Sequence, residues 1–141
     1  MKLRKDAKIE RIRGVPLFSH CSKKELEAIA RIADEVPLDE GVEMTKQGAR
    51  GHEFGIIVDG TASVTANGNQ LATLGPGDFF GEIALVSDVP RTATVTATSP
   101  VRLLVITARD FRQLMRQSPD VQNKVLQALA HRVVHLGGDS H

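Results

Sequence analysis

The sequence has one cysteine and no long apolar run, which exclude an intrachain disulfide and a membrane-spanning helix. Cys21 stands alone, so no intrachain disulfide can form and nothing indicates an oxidising compartment. No apolar run approaches the roughly 18 residues that a membrane span needs. The basic N-terminal segment is not followed by the apolar stretch of a signal peptide. We therefore expect a cytoplasmic chain with no membrane span.

The sequence also has little net charge, at +1 over 141 residues, so no global field recruits nucleic acid or an acidic membrane. The local excess of positive charge lies at the start, in Lys2, Arg4, Lys5, Lys8, Arg11 and Arg13. Such a segment could be a nucleic-acid or lipid arm, but we favour a solvated helical face with Leu3, Ile9 and Ile12 on its inner side. The chain ends soon after its last predicted helix, without a helix-turn-helix, so we expect no direct DNA binding.

The order of patterns predicts helix, then many short strands, then helix. Ser22 followed by Glu25 is typical of a capping box. Behind it an apolar face repeats with the helical period, at Leu26, Ile29, Ala30 and Ala33. After Thr107 a short helix carries Phe111, and Ser118-Pro119 predicts the start of a last helix. The apolar row of that helix is Val121, Val125, Leu129, Val133 and Leu136, and Gly137-Gly138 ends it.

Between about residues 35 and 107 the sequence breaks into short runs rich in Val, Ile, Thr and Phe, separated by Gly or Pro. Strands are predicted at 54–58, 62–66, 71–74, 92–97 and 102–106. Asp59-Gly60 and Asn67-Gly68 indicate tight hairpins, because both dipeptides tolerate positive φ. Strands at this spacing favour a sandwich, a jelly roll or a barrel.

One segment departs from this alternation, from Phe79 to Val95. A strand ends in Gly81, which lets the backbone approach a ligand closely, and a short helical turn follows. After one loop, Arg91 precedes Thr92. Arginine offers planar paired donors to phosphate oxygens, and Glu82 can accept hydrogen bonds from sugar hydroxyls. The combination suits a ribose phosphate.

This segment resembles the phosphate-binding cassette of the cyclic-nucleotide-binding domain family, which includes catabolite-activator-type regulators and regulatory subunits of cyclic-AMP-dependent protein kinase. The family pattern is Phe-Gly-Glu-(Ile/Leu)-Ala-Leu, a short loop, then Arg-(Ser/Thr/Ala)-Ala-x-Val. Residues 80–85 and 91–95 meet every fixed position, and the likeness runs from about 15 to 136. It implies a mainly β fold, an eight-stranded jelly-roll barrel with helices at the N-terminus and two closing helices at the C-terminus.

The resemblance also implies a domain plan and a role for each matching residue. Residues 1–141 form a single domain, with an N-terminal helical segment (1–34), a β-barrel (35–107), and hinge and lid helices (108–141). Glu82 matches the acceptor of the ribose 2′-hydroxyl and Arg91 the clamp on the cyclic phosphate. The residues expected around the phosphate are Gly81, Ile83, Ala84, Thr92 and Ala93. Leu71 and Thr73 lie on the strand against which the base rests. Leu85 and Phe111 are expected to repack as a hinge, and Leu129, Val133 and Leu136 to form the lid.

The function implied is regulatory: the domain binds cyclic AMP, with cyclic GMP as the other candidate, uses no cofactor and catalyses nothing. Its second partner is an unidentified effector, either a separate protein or a missing domain. A ligand-independent jelly-roll scaffold is the alternative, and the intact Glu82 and Arg91 argue against it. A metal-dependent jelly-roll enzyme needs several His or carboxylate ligands, whereas the strand region offers only His52. Gly55 departs from the family, which usually has an aromatic residue there, and this casts doubt on the barrel packing.

Overall fold

The structure, a computed structural model, describes residues 4–85, 87–88 and 90–136, without the side chains of 129 and 131–136. Its helices are α1 (Lys5–Arg13), α2 (Lys23–Arg31), α3 (Ala108–Gln117) and α4 (Pro119–Leu136). Its strands are β1 (Ala33–Leu38), β2 (Glu43–Thr45), β3 (Glu53–Asp59), β4 (Ala62–Ala66), β5 (Asn69–Leu74), β6 (Phe79–Phe80), β7 (Thr94–Ala97) and β8 (Val101–Thr107). Two 3₁₀ turns, Pro16–Phe18 and Glu82–Leu85, join them, and we name the second the cassette turn.

The eight described strands form two antiparallel sheets of four, in the orders β1-β8-β3-β6 and β2-β7-β4-β5. Alternate residues of β3 and β8 face opposite sides, and both sides of these two central strands of the first sheet are largely buried. Ile57 and Leu103 pair across the ladder and pack against the second sheet. Ile56 and Leu104, one residue along, pack against the helices. The predicted eight-stranded jelly roll with helices at both ends is confirmed.

The N-terminal helices bury the faces that the sequence predicted. Ile9 and Ile12 of α1 are buried, while Leu3 lies outside the described residues. The capping box of α2 is formed: the Glu25 amide donates to Ser22 Oγ at 3.3 Å and the Ser22 amide donates to Glu25 Oε1 at 2.7 Å. The basic N-terminal segment therefore forms a helix from Lys5, and its Ile9 and Ile12 pack in the same buried cluster as Leu26 and Ile29 of α2.

Two predicted boundaries differ from the structure. Ala33, predicted on the helical face of α2, is the first residue of β1 and pairs with Ile106. It is buried as expected, but α2 ends at Arg31 because the chain there joins the edge of the first sheet. The barrel therefore begins two residues before 35. Its last strand, β8, ends at Thr107.

The two glycine turns have different outcomes. Asn67 and Gly68 have φ of +53° and +79° and close a two-residue hairpin between β4 and β5, as predicted. The hairpin predicted at Asp59-Gly60 was wrong, because β3 and β4 lie in different sheets. Gly60 has φ of +93°, and an added Cβ would meet the Pro100 carbonyl. This glycine lets the chain turn tightly against residues 98–101 as it crosses between sheets.

Gly55, where the family usually carries an aromatic residue, is covered by the ring of Phe80. The two residues are partners in the β3–β6 ladder, and a Cβ on Gly55 would lie 2.6 Å from Phe80 Cζ. The aromatic ring therefore comes from the neighbouring strand, and the barrel remains packed at this point.

The last helix begins at Pro119, as predicted, and contacts both α3 and the turn Pro16–Phe18. Its described buried side chains are Val121, Val125 and Ala128. Lys124 of α4 is 2.6 Å from Glu25, which ties this helix to α2. The side chains of Leu129, Val133 and Leu136, and all of Gly137 and Gly138, lie outside what the structure describes.

Candidate functional site

The cassette turn follows directly from the end of β6. Gly81 joins the two with φ of +78°, a backbone conformation that favours glycine. The Gly81 carbonyl then accepts from the Ala84 amide at 3.0 Å, which closes the first bond of the turn. The strand, glycine and short helical turn predicted from the sequence are all present.

The turn places four predicted site residues at different depths. Glu82 is 2 % exposed, which is rare for a carboxylate, and buried carboxylates generally require specific partners. Ala84 and Leu85 are buried and Ile83 is half-buried. Glu82 is therefore held inside the structure, at the start of the turn, rather than on a solvated helix end.

Arg91 approaches this turn from the far end of the loop. Its Nη2 donates to the Glu53 carbonyl at 2.5 Å, and its guanidinium lies against both Gly51 and Gly81. Burial lowers the pKa of Arg91 from its usual value, and the nearby Glu53 carboxylate opposes that shift. An arginine retains its charge under such a shift, because its ordinary pKa is far above neutral. A half-buried cation thus stands beside the first residues of the cassette turn.

The backbone of Arg91 is fixed by the loop between β2 and β3, not by a strand ladder. The Arg91 amide donates to the Ala49 carbonyl at 2.9 Å, and the Arg91 carbonyl accepts from the Gly48 amide at 2.8 Å. Because this pairing occupies residue 91, the predicted strand over 92–97 begins only at Thr94. Thr92 is exposed in the intervening bend and Ala93 is buried.

The same β2–β3 loop contributes groups that sequence reasoning missed. Arg50 forms an ion pair at 3.0 Å with Asp88, which lies between the cassette turn and Arg91, and His52 Nδ1 lies 4.0 Å from the same carboxylate. A cavity of about 240 Å³ adjoins Arg91, and residues 43–46 and 49–53 line it. The regular glycines of this loop predict turns, and no local pattern connects them to a site forty residues later.

Leu71 and Thr73 lie two residues apart on β5, one of the two edge strands of the second sheet. Both are exposed, and Leu71, at 52 %, is one of the few large apolar side chains that solvent reaches in the described part of the chain. The chief contacts of β5 are with β4. The described contacts do not bring these two residues together with Arg91 or Glu82, and their part in holding a base stays a prediction.

Leu85 and Phe111 are brought together, as members of one buried cluster. Both side chains are fully buried, and α3 contacts the cassette turn directly. Phe111 also packs on Phe18, with ring centroids 5.9 Å apart. The cassette turn and the C-terminal helices therefore share one apolar core.

The other chemistry-bearing residues show no second site among the described residues. Burial, followed by the nearby Glu25 carboxylate, raises the pKa of the Cys21 thiol to about 11, so the thiol is protonated at neutral pH. No group of three His, Cys, Asp or Glu within the described ranges is arranged to hold a metal ion. No described helix is long and apolar enough to span a membrane.

The site thus combines a β-barrel, a short turn preceded by Gly81, the buried carboxylate of Glu82 and the guanidinium of Arg91 against Gly81. The family model of the cyclic nucleotide-binding domain matches residues 35–118, which is more than half of the chain. The chain belongs to the cyclic nucleotide-binding domain family.

Two curated relatives and one solved structure are similar to the chain. A cyclic nucleotide-gated potassium channel from Mesorhizobium japonicum is 37 % identical over 110 residues, which cover 78 % of this chain and 30 % of the channel. A cAMP-dependent protein kinase regulatory subunit from Yarrowia lipolytica is 32 % identical over 106 residues, 74 % of this chain and 28 % of the subunit. The N-terminal domain of a transcriptional regulator from Streptomyces coelicolor superposes with a TM-score of 0.82 at 28 % identity, over 90 % of this chain and 92 % of that domain. The chain spans less than a third of either curated relative.

Proposed function

We propose that this domain binds cyclic AMP and acts as a regulatory sensor without catalysing a reaction. The observation that carries the proposal is the position of Arg91, whose guanidinium lies against Gly81 at the start of the turn that holds the buried Glu82. A cation and a carboxylate on one short segment are complementary to the phosphate and the sugar hydroxyl of a ribose cyclic phosphate.

The chemistry of binding follows from these two groups. A guanidinium presents five N–H donors, and one of those on Arg91 bonds the Glu53 carbonyl, so its planar fork can still pair with phosphate oxygens. Gly81 has no Cβ, which lets the phosphate approach the backbone. Glu82 accepts from the ribose 2′-hydroxyl, with Ile83, Ala84, Thr92 and Ala93 around the phosphate.

The base is the part of the ligand that needs apolar cover. Exposed Leu71, with Thr73 two residues along, supplies an apolar surface on β5 that solvent otherwise contacts. The C-terminal end of α4, with Leu129, Val133 and Leu136, is our candidate for the outer cover. A ligand that binds more tightly when α4 covers the base would shift the population of helix positions.

A path from the ligand to α4 supports the regulatory role. Leu85 of the cassette turn and Phe111 of α3 share one core, and α3 contacts α4. A movement of the cassette turn that accommodates the phosphate would therefore shift both α3 and α4. The named relatives are a gated channel and a kinase regulatory subunit. By analogy we propose that an effector, either a separate protein or an attached domain, receives the signal.

Calorimetric titration tests the proposal. We expect cyclic AMP to bind with a dissociation constant near 1 μM or below, about −8.2 kcal/mol. Ligand at a hundred times that constant stabilises the fold by roughly 2.7 kcal/mol, a melting shift of about 5–10 °C for a chain of this size. Cyclic GMP in parallel measures base preference, and 5′-AMP should bind far more weakly because its open phosphate differs in shape and charge. If millimolar cyclic AMP and cyclic GMP both give no heat and no melting shift, the domain is a ligand-independent scaffold.

A further inference from the structure

The guanidinium of Arg91 occupies a slot between two glycines from distant parts of the chain. A Cβ built on Gly51 would lie less than 3.0 Å from Nε, Cζ and Nη2 of Arg91, and one built on Gly81 would fall against Nη1. Real Cβ atoms essentially never come that close to another heavy atom. The position of the guanidinium seen here is therefore available only while both residues lack a side chain.

The two glycines differ in what else requires them. Gly81 has φ of +78°, and its Cβ would also lie 2.9 Å from the Glu53 carbonyl, so any substitution there strains the backbone itself. Gly51 has no positive φ, and the three heavy atoms nearest to its added Cβ all belong to the Arg91 side chain. At Gly51 the need for glycine therefore comes from the guanidinium.

The loop around Gly51 is tied on both sides, so it cannot easily yield to a new methyl group. Before Gly51, Gly48 and Ala49 form backbone hydrogen bonds with Arg91 itself and Arg50 pairs with Asp88; after it, the His52 carbonyl accepts from the Ala108 amide at 2.6 Å. The far end of an arginine side chain is the softer partner, because it can change rotamer without disturbing a ladder. A methyl group at residue 51 would push the guanidinium out of its slot and leave the fold in place.

We infer that Gly51 is a positioning residue for phosphate binding: it admits the Arg91 guanidinium to the slot beside Gly81 and fixes where its donors are presented. This inference rests on the proposed function. The β2–β3 loop is then the second wall of the phosphate site, although it contributes no side chain to the ligand at this position.

The test compares Gly51→Ala with Gly75→Ala as the matched control. Gly75 also lacks a positive φ, and its added Cβ would meet nothing within 4 Å. Calorimetry with cyclic AMP and thermal unfolding without ligand are measured on both variants and on the wild-type chain. We expect Gly51→Ala to bind at least tenfold more weakly while its melting temperature falls no further than that of Arg91→Ala, which loses the same hydrogen bond to the Glu53 carbonyl. The control should match wild type in both measurements.

A second pair of variants separates positioning from a general loss of structure. In an Arg91→Ala background the guanidinium is gone, so adding Gly51→Ala should cause no further loss of affinity and no further fall in melting temperature. If the methyl group lowers the melting temperature equally in both backgrounds, Gly51 has a structural role and the inference is wrong. Wild-type affinity in Gly51→Ala also overturns it. A wild-type chain that binds no cyclic nucleotide overturns the proposed function instead.

Discussion

Replacing Arg91 by alanine is the most direct perturbation of the proposed phosphate site. Truncating one partner of a buried charge pair costs about 2–5 kcal/mol in binding, much of it from stranding the other charge. Arg91 is half-buried and borders a cavity, so water can partly solvate a phosphate that has lost the arginine. We therefore expect a binding cost in the lower half of that range. A loss of about 2–3 kcal/mol corresponds to roughly 30- to 150-fold weaker binding.

The same variant removes the hydrogen bond from Nη2 to the Glu53 carbonyl, worth about 1 kcal/mol of folding free energy. Calorimetry with cyclic AMP therefore has to be paired with thermal unfolding in the absence of ligand. Arg91→Lys should recover part of the affinity, because it keeps a charge but loses the paired donors. Arg102→Ala is the control, since Arg102 bonds Glu35 on the β1–β8 ladder, away from the cassette. If Arg91→Ala binds within threefold of wild type, Arg91 is not the phosphate clamp.

Three further predictions follow from other parts of the molecule. Glu82→Ala should weaken binding of cyclic AMP and spare 2′-deoxy cyclic AMP in the same titration, and equal losses for both ligands would refute the ribose role of Glu82. The hydrogen bond and charge of Lys124 hold the pKa of Glu25 below its usual value. The pair therefore stabilises the fold fully at pH values above the ordinary glutamate pKa of about 4.3. This stabilisation is lost as the pH falls through the lowered pKa of the folded state. Glu25→Gln should therefore melt below wild type at pH 7, with the gap closing in acid, whereas Glu40→Gln on an exposed turn should show no such gap. Truncation after Ala128 keeps the described buried side chains of α4, Val121, Val125 and Ala128, and should weaken cyclic AMP binding about tenfold if the removed end covers the base. Affinity equal to that of the full chain would mean that the removed end does not cover the base.

The cassette could be read from the sequence because its chemistry is local. Phe80 through the cassette turn is one continuous segment, and Gly81, Glu82 and the turn need only their neighbours to take their conformations. The capping box at Ser22 and the proline start of α4 are equally local, which is why both were predicted correctly. Periodicity also indicated which faces of the helices are buried, since a helix packed on a core repeats its apolar residues with the helical period.

Local turn sequence did not reveal which of the two glycine turns closes a hairpin. Asp59-Gly60 and Asn67-Gly68 carry the same local signal, and both glycines do have positive φ. Yet one turn closes a hairpin and the other carries the chain from one sheet to the next. A glycine dipeptide determines where the backbone can reverse. Whether the flanking strands then pair depends on the sheets that receive them.

Only the tertiary structure brings the β2–β3 loop with Gly51 against Arg91. Gly51 and Arg91 are forty positions apart, and the contact between them arises because residues 48 and 49 pair with the backbone of Arg91. The strand predicted from residue 92 accordingly begins only at Thr94, after that pairing. The sequence by itself determined the family, the barrel and the charged groups of the cassette, because these depend on local conformation and apolar periodicity. The slot that holds the guanidinium depends on two hydrogen-bonded loops that are distant in the sequence, and no local pattern encodes their contact.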